Sequence, residues 1–196
     1  RNPITAGMHQ GICYAVIDLG TQPPNPKSQY QKTERKVLLM LELPEERATF
    51  ERDGVQVDLP RALSKEYTLS LHEKAGLRKA LVSWRGRQFT ADELKGFDLK
   101  NVLGANCMLN IVHNDRGYED IHGILPLMKG MTKRAPENEL VLYDIEDRNI
   151  PATIPEWVRK KIAMSAEHQQ ATSHREDEAA PMPRDEFGDD DDDIPF

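Results

Sequence analysis

At 196 residues, with 30% charged and 38% hydrophobic side chains, the chain has room for one domain and an appendage. No apolar run approaches the roughly 20 residues of a membrane helix and no charged-then-apolar leader opens the chain, so no membrane partner is expected and the cytoplasm is the expected location. Cys13 and Cys107 are isolated in apolar runs, which offers neither a metal spacing nor a disulfide framework and predicts buried, reduced thiols.

In chain order, Cys13 to Leu19 is β-branched and apolar and predicts a strand, followed by a loop through Pro23, Pro24, Asn25 and Pro26. The run Val37 to Leu41, ended by Pro44, suits a short strand covered on both faces. Val55 to Leu59 and Tyr67 to Leu69 are weaker strand candidates with Pro60 between them. Ser70 with Glu73 forms a capping-box pattern ahead of a helix carrying Leu77, Leu81 and Trp84 on one face and stopping at Gly86. Thr90 with Glu93 repeats the pattern for a short helix to Gly96. Met108 to Val112 and Tyr118 to Leu125 read as a hairpin around Asn114-Asp115-Arg116-Gly117, and Leu140 to Ile145 as one more strand. Thr153, Pro155 and Glu156 open a helix through Ile162, with Ile154, Val158 and Ile162 aligned. Beyond about residue 166 apolar residues thin out and disorder is expected.

Charge is unevenly placed along this order. Residues 163–196 carry eleven acidic side chains against Arg175 and Arg184, a net of −9 within a total of −7, which leaves the body at +2. A mildly basic body with an acidic tail suits a nucleic-acid surface joined to a segment that faces other proteins. Three strand regions, a helix and a hairpin match the parts of an oligonucleotide-binding barrel, the OB-fold, so the expected class is mainly β with added helices. The expected divisions are an OB-fold domain over 1–148, a helix packed on the barrel over 149–166 and a disordered acidic tail over 167–196.

Single-strand binding needs cations along the phosphates and aromatic faces for the bases. Tyr30 stands between Lys27 and Lys32 and is followed by Arg35 and Lys36, across the first loop and into the second strand. His113, Arg116 and Tyr118 flank the hairpin loop, the second loop bordering an OB groove. Arg85 and Arg87 lie beside Trp84, which is expected in the core while the arginines reach phosphates. Trp157, with Arg159, Lys160 and Lys161, is expected to pack on the barrel.

Catalytic patterns are thin. His72-Glu73 lacks the second His of a zinc helix, and neither a phosphate-cradling Gly-rich loop nor a Gly-x-Ser-x-Gly elbow occurs. Asp18, Asp98, Asp115 and Asp120 are scattered carboxylates of the kind a metal-dependent nuclease gathers, which keeps a nuclease as a minor alternative. No cofactor, metal site or catalytic residue is assigned.

The chain ends Asp189-Asp190-Asp191-Asp192-Asp193-Ile194-Pro195-Phe196. Five like charges cannot fold alone, but a terminal Phe can fill a pocket while its α-carboxylate meets a cation and the aspartates steer the encounter. This ending resembles the acidic tip of bacterial single-stranded DNA-binding proteins, which recruits replication and repair enzymes. Blocks of the body resemble bacteriophage and prophage single-stranded DNA-binding proteins of OB fold: Leu19-Gly20-Thr21-Gln22, Tyr67 through Leu71 with His72-Glu73, Leu81 through Arg87, Phe97-Asp98-Leu99, and Gly104 through His113-Asn114. The match spans roughly residues 10 to 145. The long Gly- and Gln-rich linker of the ordinary bacterial protein is absent, so its tetramer does not carry over.

The resemblance implies a non-enzymatic protein of a bacterial or phage-infected cell. It would coat single-stranded DNA in replication, recombination or repair and recruit host or phage enzymes through its tip, with homo-oligomerisation left open. The alternative is an adaptor or annealing protein that binds single strands weakly.

Overall fold

The computed structural model describes residues 2–27, 29 and 31–179. Tyr30 and the tip 189–196 lie outside the described residues. The chain is mainly β: a six-stranded, mostly antiparallel sheet with helices at one end and along one face. Its strands are β1 (Gly7–Gln22), β2 (Glu34–Arg52), β3 (Val55–Thr68), β4 (Asn106–His113), β5 (Glu119–Leu125) and β6 (Val141–Tyr143). Pairing runs β3-β2-β1-β4-β5, with β6 added in parallel to β1.

Clean alternation in β2 explains why the sheet is buried on both sides. Val37, Leu39, Leu41 and Leu43 enter the main core with Val16, Cys107, Leu109, Ile111 and Ile121, while Leu38 and Met40 face a second core with Ala15, Ile17, Leu19, Val158 and Ile162. A register shift between Cys13 and Ala15 lets β1 serve both.

β2 does not stop at Pro44. Pro44 sits in the register irregularity between Leu43 and Arg47, where no ladder hydrogen bond is asked of it, and the strand continues to Arg52. The two weak strand candidates around Pro60 are one strand, β3, an edge strand that tolerates a proline. The β2–β3 turn is Asp53-Gly54, with φ of 51° and 76°, the two left-handed residues of a type I′ hairpin.

Helices α1 (Gly76–Arg85) and α2 (Ala91–Gly96) follow. The Ser70/Glu73 capping box does not form. Ser70 Oγ instead accepts the His72 amide in a local turn, and α1 begins after Ala75 without a side-chain cap. Thr90 and Glu93 do form theirs. Trp84 is 7% exposed and its indole N–H donates to the Asn106 carbonyl at 3.0 Å, which seats α1 on β4.

Where a closed barrel is expected, the backbone ladder stays open between β3 and β5. Side chains bridge that gap: Arg61 pairs with Glu119 at 3.0 Å and Lys65 with Asp120 at 2.8 Å.

The chain after β5 then straps the sheet's outer face. The Thr132 and Arg134 carbonyls accept from Gln10 and Asn106, and Glu42 holds the amides of Glu137 and Asn138. Helix α3 (Glu156–Ala163) starts after Pro155 rather than at a Thr153 cap and buries Val158 and Ile162. Trp157 is a correction: it is 46% exposed, because the buried stripe of α3 belongs to Ile154, Val158 and Ile162. Helix α4 (Ala166–Ala179) occupies part of the segment where composition predicts disorder. Its Glu, Gln and Ala residues favour helix, and its start is fastened by Glu167, whose carboxylate accepts Thr21 N and Oγ1 at 2.8 Å each. Among the described residues no helix is long and apolar enough to cross a membrane.

Candidate nucleic-acid interface

Strand alternation divides the basic cluster at the first loop. Lys36 pairs in register with Thr68 on the outer face of the sheet, whereas Arg35 points to the other side. Lys32, Lys36 and Lys161 of α3 line an open cavity of about 980 Å³ together with Gln22 and Met164. Arg35 is instead held by Asp18, with Nη2 at 2.5 Å and Nε at 3.1 Å from Oδ2, and lines a separate cavity beside Leu99 and Lys100. The pair with Asp18 keeps the Arg35 guanidinium, 42% exposed, on the other face of the sheet from Lys36.

The lysines of the loop-end cavity are partly neutralised. Lys36 Nζ donates to Glu34 at 2.6 Å and to Thr68 Oγ1 at 2.8 Å; hydrogen bonds from Lys36 and then Thr68 hold the Glu34 carboxyl below its ordinary range. Lys161 pairs with Glu66. Lys32 is exposed and carries no ion pair among the described residues. Solvent-facing pairs of this kind contribute about 0–1 kcal/mol each, so a phosphate can displace the glutamates at small cost.

The other expected contacts lie elsewhere. His113 is tethered, its Nε2 lying 2.7 Å from the Ile4 carbonyl. Arg116 and the 65%-exposed Tyr118 sit on the β4–β5 turn, which Asn114 shapes by accepting the amides of Arg116 and Tyr118. Because Gly7 pairs with Ile111 while Gln22 pairs with Glu34, this turn and the first loop occupy opposite ends of β1. Sixteen residues separate them, up to about 50 Å of strand at ~3.3 Å per residue.

Arg85 and Arg87 converge on Glu93, at 2.6 and 2.9 Å. The Arg85 guanidinium also stacks on Phe89, 4.2 Å from its centroid, so it fastens α1 to α2. Only Arg87 of this pair is mostly exposed, at 60%.

A second cavity, of about 670 Å³, was not legible in the sequence. It lies at the arm formed by the far ends of β2 and β3 and is lined by Tyr14, Phe50, Arg52, Leu59, Arg61 and Asn138, among others. The signal that points to it is Asp53-Gly54, a two-residue hairpin turn flanked by Phe50 and Arg52 on one side and Val55 and Val57 on the other. Burial, then the Glu42 carboxylate, pushes the Tyr14 phenol up to about 12, so it is neutral.

Both cavities open along β3. Glu66 lines the loop-end cavity and Ala62 the arm-end one. Both side chains lie on the outer face, in register with Leu38 and Glu42. Four residues of strand put them about 13 Å apart.

Three of the four scattered aspartates serve separate local roles. Asp18 pairs with Arg35, Asp98 accepts the Lys100 amide and Asp120 pairs with Lys65. Among the described residues no group of three His, Cys, Asp or Glu side chains is placed to hold a metal ion. Both thiols are free and buried, and burial pushes Cys13 up to about 12 and raises Cys107 as well. Comparison with protein-family models, with curated proteins and with solved structures returns no match.

Proposed function

We propose that this protein binds single-stranded DNA through an OB-type sheet and recruits partner enzymes through its C-terminal tip, without catalysis of its own. The observation that carries the reading is the loop-end cavity, where Lys32, Lys36 and Lys161 gather from the first loop, β2 and α3 on the outer face of the sheet. Supporting it are the strand order β3-β2-β1-β4-β5, with α1 between β3 and β4, and the approach of β3 to β5 through two ion pairs. These are the parts of an OB-fold, whose second and third strands carry the oligonucleotide. Phosphates exchange with Glu34 and Glu66 at the lysines, and the strand follows the outer face of β3. Lack of base-edge readout at the lysines makes binding largely sequence-independent. The tip, with Phe196 as anchor, Ile194 and Pro195 shaping it and Asp189 to Asp193 steering, docks partners in a cell that supplies replication, recombination and repair enzymes.

Fluorescence-anisotropy titration of labelled oligo-dT, with duplex of equal length as competitor, tests this. Saturable binding, weak competition by duplex and a steep fall with salt are expected. Replacing Lys32 and Lys36 by Ala should lower the log–log salt slope by about 0.7 for each phosphate that is no longer neutralised. Absence of binding at low salt, repeated on a chain lacking residues 189–196 to remove self-competition, refutes the coating role and leaves the adaptor.

A further inference from the structure

The arm-end cavity has a composition that folding does not require. Phe50 is 43% exposed on a two-stranded ribbon, outside both cores, where a polar residue would satisfy the ladder equally well. Arg52 follows two residues later on the same face, in register with Val55 as Phe50 is with Val57. Their strand positions are therefore about 7 Å apart, comparable to the reach from a nucleobase to its own phosphate.

The cations around the cavity are not equivalent. Arg47 is committed to Asp58 at 2.9 Å and to Glu137 at 2.5 Å, and Arg61 to Glu119 at 3.0 Å. Arg52 alone of the three has no ion pair among the described residues. The back wall is Tyr14, whose hydroxyl is occupied by Met40 Sδ at 3.8 Å, leaving the ring as an apolar surface. Asn138 spends its Nδ2 on Glu42 at 2.8 Å, which orients the side chain at the wall.

We infer that this cavity is a base-stacking subsite, in which Phe50 receives a nucleobase of a single strand and Arg52 receives the adjoining phosphate. The inference rests on the single-strand reading above and adds a site at the opposite end of β3 from the lysines; since Val55 and Val57 alternate with Ala62 and Glu66, Phe50 and Arg52 lie on the ribbon's other face, and a strand reaches both sites by crossing the β3 edge. One uncommitted cation beside one exposed aromatic suits a nucleotide unit. An acidic peptide would ask for several free cations, and Arg47 and Arg61 are already neutralised.

The test uses the full chain with labelled oligo-dT and the same oligonucleotide carrying abasic sites. Phe50→Ala is expected to weaken binding to oligo-dT by about 5- to 150-fold, the range for one stacked base, with the salt slope unchanged. Phe50→Tyr should restore most of the affinity, and the Phe50→Ala loss should shrink on the abasic strand. Arg52→Met should reduce the salt slope instead. Since Phe50 lies outside both cores, unchanged circular-dichroism melting is the control for folding.

If wild type binds and Phe50→Ala binds equally well, the subsite is refuted while single-strand binding stands. An equal loss on the abasic strand also refutes stacking. Displacement of oligo-dT from wild type but not from Phe50→Ala by a base-free acidic peptide would reassign the cavity to protein ligands. Failure of wild type to bind any single strand overturns the functional reading, and this inference with it.

Discussion

Replacing Glu42 by alanine is expected to unfasten the C-terminal strap from the sheet. Glu42 is 1% exposed, and its carboxylate accepts the Glu137 amide at 2.8 Å, the Asn138 amide at 2.9 Å and Asn138 Nδ2 at 2.8 Å. Hydrogen bonds to a charged group contribute about 1.5–3 kcal/mol each, and a stranded buried amide costs about 1–3 kcal/mol. Asn138 is half-buried and its side chain can turn to water, so two backbone amides carry most of the loss. A destabilisation of about 3–5 kcal/mol follows, whereas Glu42→Gln, which keeps one acceptor oxygen, should lose about 1–3 kcal/mol. In urea, with a slope of about 2 kcal/mol/M, the alanine variant should lose roughly 2 M in midpoint. Hydrogen exchange should show the 137 and 138 amides losing protection ahead of the β1 and β2 core. A midpoint within about 0.3 M of wild type, with both amides still protected, would refute the clamp.

Two further outcomes are expected. Gly20→Ala forces a Cβ onto φ 70° and within 2.8 Å of Ser165 Cβ and 2.9 Å of Ile145 Cγ1, so about 2–4 kcal/mol should be lost, with a melting temperature lower by roughly 4–16 °C; a change under ~2 °C would show the contact yields freely. The Thr90 amide, then Arg87 and Arg85, hold the Glu93 carboxyl down to about 2 against roughly 4.3 unfolded, so its contribution is full above about pH 5 and fades as pH falls toward 2. The melting difference between wild type and Glu93→Gln should accordingly vanish near pH 2, and a difference constant across that window would contradict the network.

How much of the site is legible in the chain varies with the range of the interaction concerned. The tether of Arg35 to Asp18 is out of reach, because nothing local says that residues seventeen apart face each other across two strands. The separation of Arg35 from Lys36 is within reach, since adjacent strand residues point to opposite faces once a strand is recognised. Trp157 departs from expectation for a related reason. The apolar stripe of α3 already has three aliphatic members, and an aromatic one position away from it falls on the rim.

The arm is hidden because proline reads as a terminator. Pro44 and Pro60 fall where the β2–β3 ladder is irregular or at the sheet edge, and only the pairing of strands reveals that they are harmless there. With the arm comes the cavity around Phe50 and Arg52.

Local chemistry therefore lies on the linear chain: the strand periods of β1 and β2, the Thr90–Glu93 cap, the Asn114–Gly117 turn, the burial of Trp84 and of both thiols, and the contrast between a basic body and an acidic tail. These depend on neighbours within a few residues, or on composition alone. What only tertiary structure decided is which cations remain free, which aromatics stay uncovered, and how the segment after β5 crosses the sheet to be held by Glu42. Those outcomes are settled by contacts between residues 96 or 95 positions apart, such as Glu42 with Asn138 and Lys161 with Glu66, and sequence spacing carries no record of them.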